Sequence, residues 1–154
     1  MKITTNKKDL QFKCQDVYFT EGLKIAKQLK QVVLFGNNKD CVGLAHNQIK
    51  GNKNVFIAKI YNGINDEWRT FINAVIIKKT NLKKVTESCM SFPNKFTEVS
   101  RFNNITISYQ VRARNNQEGN AFIIEEFEGF NAQIIQHEID HLNGIHIFNK
   151  KEKK

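Results

Sequence analysis

Proline occurs once, at Pro93, and glycine eight times in 154 residues. That scarcity excludes collagen-like and proline-rich disordered chains. Cysteine is also sparse. Cys14, Cys41 and Cys89 include no CxxC pair, and an odd count argues against a disulfide framework. No apolar run approaches the ~20 residues that span a bilayer, so no membrane partner is expected. The first residues, MKITTNKKDLQFK, are basic but lack the apolar core of a secretory signal. The expected location is therefore cytoplasmic. Arginine is scarce as well, with Arg69, Arg101, Arg112 and Arg114 set against 20 lysines. Lysine is a hydrated point charge, whereas arginine reads phosphates and bases with a planar fork. The net charge of +9 thus favours solubility and diffuse attraction to polyanions, not specific nucleic-acid binding. The KKEKK tail at 150–154 reads as a solvated end, with the ribosome or RNA as its candidate partner.

What remains is a globular composition, 40% hydrophobic and 25% charged, at a length that suits one domain over 1–154. Thr20 is placed to cap a helix beginning at Glu21, with Leu23, Ala26, Leu29, Val32 and Val33 near helical spacing. Gly36-Asn37-Asn38 stops it. Residues 54–60 and 70–77 are β-branched and aromatic and read as strands. From 104 to 114 the pattern alternates, with Ile105, Ile107, Tyr109, Val111 and Ala113 on one face, as in a half-buried antiparallel strand. A hairpin loop at 115–120 leads to a strand at 121–127. From Asn131 the period becomes helical. Ile134, Ile135, Ile139 and Leu142 form its stripe, ended by Asn143-Gly144. These elements predict an α+β fold, mostly antiparallel sheet around one buried late helix, with a second helix near the N-terminus.

That late helix contains Gln136-His137-Glu138-Ile139-Asp140-His141. Histidines at i and i+4 project from one helix face and can share a metal ion, as His137 and His141 would. Glu138 lies ~100° round the helix, able to handle a water proton without being a ligand. Two surface histidines flanking a charge would give the same string, and a zinc peptidase is equally open here. A third ligand is needed. His146 follows the helix stop too closely and Glu152 lies in the polar tail, while Cys89, in Glu87-Ser88-Cys89-Met90-Ser91, would complete a Cys-His-His set with an open position. Taken alone, Cys89 reads as a small buried hydrophobe. In Cys41-Val42-Gly43-Leu44-Ala45-His46-Asn47-Gln48, the small Gly43 and Ala45 permit close backbone approach and Gln48 offers an amide donor. A glycine-containing strand with a solvated glutamine is the plainer reading of that segment.

Together and in this order, CVGLAHNQ, ESCMS and QHEIDH resemble the three motifs of the peptide deformylase family, G-x-G-x-A-A-x-Q, E-G-C-x-S and Q-H-E-x-D-H. The resemblance implies a metal-dependent hydrolase that removes the N-formyl group from N-formylmethionyl peptides of nascent proteins and releases formate. It makes Cys89, His137 and His141 the ligands and Glu138 the general acid and base. Gln48, through its side-chain amide, and Met90, through its backbone N–H, become donors to the developing oxyanion. Arg101 pairs with Glu87 to brace the ligand loop. Val42, Val85, Phe130, Gln133 and Ile134 line the methionine pocket, and the Gly43 backbone holds the peptide extended. The implied cofactor is one divalent ion, Fe(II), with Zn, Ni or Co able to occupy purified protein. The implied partners are the formylated peptide and the ribosome carrying it, for a monomeric enzyme.

This chain departs from the pattern at Cys41 and Ser88, which replace glycines, and at His46, which replaces an alanine. A glycine before the ligand cysteine suggests a conformation that Ser88 would adopt only with strain. Phe96 stands where well-known bacterial members carry arginine, and the long C-terminal helix of many of them is missing. Two rivals follow. One is an HExxH zinc peptidase indifferent to Cys89; the other is a non-catalytic, metal-stapled basic binding module.

Overall fold

In the computed structural model, residues 1–114 and 119–150 are described. A 3₁₀ turn at Lys7–Leu10 precedes helix α1, Phe19–Phe35. Strand β1, Gly43–Ala45, runs into a second 3₁₀ turn at His46–Ile49. Strands β2 (Val55–Ile60), β3 (Glu67–Cys89), β4 (Phe92–Arg112) and β5 (Asn120–Glu128) follow, and helix α2, Gly129–Leu142, comes last. The α+β architecture expected from the sequence is the one observed. The five strands form one antiparallel sheet in which strand order repeats chain order, β1 to β5.

Both helices lean on this sheet through apolar faces. Ile25, Ala26, Leu29 and Val32 of α1 bury against Val55, Ile57 and Ile72. Ala132, Ile134, Ile135, Ile139 and Leu142 of α2 bury against Phe56, Phe71, Ile105 and Ile107. The stacked Phe56–Phe71 pair, centroids 4.6 Å apart, lies in that second cluster. A large buried side chain of this kind stabilises by about 1.5–3 kcal/mol.

The structure corrects several boundaries. Helix α1 begins at Phe19 after Tyr18, which makes no side-chain cap bond, so Thr20 lies inside the helix instead of capping it. The predicted strand at 70–77 belongs to a 23-residue strand, and that at 104–114 to a 21-residue strand ending at Arg112. Their extra length escapes the apolar pattern because Asn81–Lys84 are exposed on both faces. The expected hairpin loop falls mostly on 115–118, outside the described residues, as does 151–154 of the basic tail. Ser88 needs no left-handed backbone. Among the described residues the non-glycine positive φ values fall on Asn37, Lys50, Asn73, Asn81 and Asn94. Ser88 is extended in β3 opposite Phe96.

Candidate metal centre

Three elements deliver the site. Cys89 ends β3, Gly43 and Gln48 lie in β1 and the turn after it, and α2 brings His137, Glu138 and His141. The i and i+4 histidines project together as helix geometry requires, their ring centroids 4.8 Å apart. His141 Nε2 lies 3.2 Å from His137 Nε2 and 3.2 Å from Cys89 Sγ. All three donor atoms fall within 4.8 Å of one another. One soft sulfur from β3 and two imidazole nitrogens from α2 fit a single borderline metal ion with a fourth position left over.

The supports are explicit. Arg101 holds Glu87 by a fork, Nε to Oε1 at 2.7 Å and Nη2 to Oε2 at 2.8 Å. Glu87 Oε2 in turn stands 2.9 Å from His137 Nδ1, leaving Nε2 to face the other donors. Burial alone would raise the Glu87 carboxyl, but the bonds from Arg101 and His137 prevail and hold it at about 2. Burial likewise works to lower His137, and its bonds to Cys89 and Glu87 lift it above the ordinary imidazole value. For His141, burial lowers the pKa and the neighbouring His137 charge lowers it further.

Glu138 is 3% exposed and its Oε2 is buried without a hydrogen-bond partner. Burial pushes its carboxyl up to about 7, against the opposing charge of His137. Gln48 is 1% exposed. Its Oε1 accepts from the Ala45 N–H at 2.9 Å, which turns its amide toward Ser91 Oγ at 3.2 Å and Cys89 Sγ at 3.7 Å. The amide is thus oriented as a donor.

A cavity of about 270 Å³ opens on this centre. Val42, Gly43, Gln48, Met90, Phe130, Gln133 and Ile134 line it, together with Glu87, Cys89, His137 and Glu138. Val85 does not. It sits opposite Val99 and packs against Leu10, Cys89 and Phe92, two residues along β3 from the cavity-lining Glu87. Cys41 is buried, its thiol directed at the Gly43 carbonyl at 3.1 Å, and His46 Nδ1 accepts from the Lys53 N–H at 3.2 Å. Neither lines the cavity.

Sequence reasoning gave no site role to four residues found here. Asp140 receives a second branch of Arg101 and also Lys150 Nζ, the latter at 2.7 Å. Asn47 Nδ2 donates to the His141 carbonyl at 2.5 Å and ties the β1 turn to α2. Thr86 and Ser88 add hydroxyls to the cavity. Only Asp140 left a signal, as a further acid inside the ligand helix.

A Cys-His-His donor set on an HExxH helix, open to a cavity, defines a metal-dependent hydrolase. The polypeptide deformylase family matches residues 2–154. A peptide deformylase of Thermotoga neapolitana is 32% identical over 134 residues, covering 86% of this chain and 74% of that one. One from Clostridium beijerinckii is 38% identical over 112 residues, covering 73% and 74%. The crystal structure of the Thermotoga maritima peptide deformylase superposes with a TM-score of 0.75 at 31% identity, covering 94% of this chain and 92% of that one. The crystal structure of the Thermus thermophilus peptide deformylase superposes with a TM-score of 0.76 at 29% identity, covering 95% and 81%. The chain belongs to the polypeptide deformylase family, and its activity is metal-dependent removal of the formyl group from nascent peptides. Among the described residues, no helix is long and apolar enough to cross a membrane.

Proposed function

We propose that Cys89, His137 and His141 hold one Fe(II) ion, and that the residues around them divide the deformylation of N-formylmethionyl peptides among themselves. The carrying observation is the convergence of these three donors within 4.8 Å, beside a buried, unpartnered Glu138 oxygen. When bound, the ion supplies Lewis-acid polarisation and more acidic water. Val42, Phe130, Gln133 and Ile134 receive the methionine side chain, and the Gly43 backbone aligns the peptide as an added strand. The Gln48 amide and the Met90 N–H donate to the formyl oxygen as it gains negative charge. Glu138 takes the proton of the attacking water, whose oxygen bonds to the formyl carbon. It then passes that proton to the amine nitrogen as the C–N bond breaks. Formate and a free α-amine leave.

The chain acts as one domain and as a cytoplasmic monomer on peptides emerging from the ribosome. The deciding experiment is formate release from formyl-Met-Ala-Ser by protein purified anaerobically with ferrous iron. Turnover that follows iron content supports the reading, and an iron-loaded protein that releases no formate overturns it.

A further inference from the structure

We infer that Phe96 selects the second residue of the substrate, favouring a large apolar or aromatic side chain immediately after the formyl-methionine. The inference rests on the deformylase reading of the site. Thr86 and Ser88 line the cavity and are exposed, while Glu87 and Cys89 between and beside them are buried. Ser88 is directly opposite Phe96, and Thr86 directly opposite Glu98. Directly paired residues project on the same sheet face. Phe96 therefore stands beside the cavity-lining Ser88, on the outer face of the hairpin, with 69% of its surface exposed. It joins none of the three buried clusters.

The neighbouring charges on that face answer each other, Lys84 Nζ lying 3.3 Å from Glu98 Oε1. Phe96 is thus a large apolar group left uncovered on that face. β2 pairs with β3 only as far as Ile72, so the 86–88 stretch turns its other edge toward the cavity. An extended peptide laid along it alternates its side chains between the two faces. With the methionine turned into the cavity, the next side chain turns outward, toward the face that carries Phe96.

The test compares kcat/KM for formyl-Met-Phe-Ser and formyl-Met-Ala-Ser in the iron-loaded wild type and in Phe96→Ala and Phe96→Tyr. The wild type should prefer the phenylalanyl peptide by about three- to tenfold, the range expected of one aromatic contact. Phe96→Ala should abolish that ratio through KM, and Phe96→Tyr should restore it. Metal content and the urea midpoint of Phe96→Ala, read beside the kinetics, should match wild type. A ratio unchanged in Phe96→Ala overturns the inference while leaving the deformylase reading intact. Wild type that is loaded with iron yet inactive on both peptides overturns the deformylase reading, and this one with it.

Discussion

Gly43 and Glu138 are in contact, and a side chain on the glycine would have to push the carboxylate aside. A Cβ built on Gly43 would lie 2.4 Å from Glu138 Oε1, 2.8 Å from its Cδ and 2.9 Å from its Cγ. The φ of Gly43 is not left-handed, so this glycine is present for space and not for a turn. Replacement by alanine should displace the carboxylate while leaving Cys89, His137 and His141 in place. Gly43→Ala is expected to keep its metal and lose about 10²-fold or more in kcat/KM, as small misplacements of reacting groups do. Metal analysis beside formate release checks it.

Ligation and proton transfer should separate on the same helix. Glu138→Gln keeps the shape but cannot accept a proton, so it should retain metal and lose ~10²–10⁴ in rate. Cys89→Ala and His141→Ala should lose metal and rate together. A Glu138→Gln enzyme with near-normal turnover would contradict the role given to this carboxylate.

Arg101 is 1% exposed and ties Glu87, and through it His137, to Asp140. Truncation would remove both bonds of the guanidinium fork from the buried Glu87 carboxylate and leave the half-buried Asp140 to Lys150. Arg101→Ala is expected to cost about 3–5 kcal/mol in urea unfolding. Its metal should dissociate at ~10–100-fold higher apparent Kd.

The free thiols should resist modification. Burial pushes Cys14 up to about 11 and Cys41 up to about 12, from an ordinary value near 9. Their folded-state pKa values lie above the unfolded ones, so between about 9 and 12 the unfolded chain releases protons that the folded chain retains, and stability falls as pH rises. Iodoacetamide at pH 8 should leave both cysteines unlabelled in native protein and label all three in urea. Labelling of Cys41 in the native state would contradict its burial.

His46 and Gly51 should prove interdependent. A Cβ on Gly51 would fall 2.0 Å from His46 Nε2, in collision with the imidazole ring. Gly51→Ala should destabilise by about 1–3 kcal/mol, and much less in a His46→Ala background. The double-mutant cycle measures that coupling.

The candidate site was legible because its chemistry is written locally. His137, Glu138 and His141 lie within one helical turn, and Cys89 and Gln48 stand in short strings of their own. What stayed hidden depends on the sheet. The extent of β3 and β4 could not be read from residues such as Asn81–Lys84, where neither face is buried and no apolar alternation survives. The packing of Val85 against Cys89 was hidden for a related reason, since its inward direction follows from pairing with Val99, 14 positions along the chain. Asparagine also took the left-handed corners at Asn37, Asn73, Asn81 and Asn94, where glycine would have marked a bend more plainly.

Because strand order repeats chain order, every strand meets its neighbour through a local reversal of the chain. Such a meander can zip up hairpin by hairpin, with little loop entropy to overcome at any step. The metal donors obey a different logic, for Cys89 and His141 are 52 positions apart and meet only after α2 has docked on the finished sheet. Loading is therefore a late event in the life of the chain, and it favours the docked state by mass action. Removing the ion with a chelator should loosen the α2 end first, and hydrogen exchange at 137–142 should quicken before exchange in β2 does.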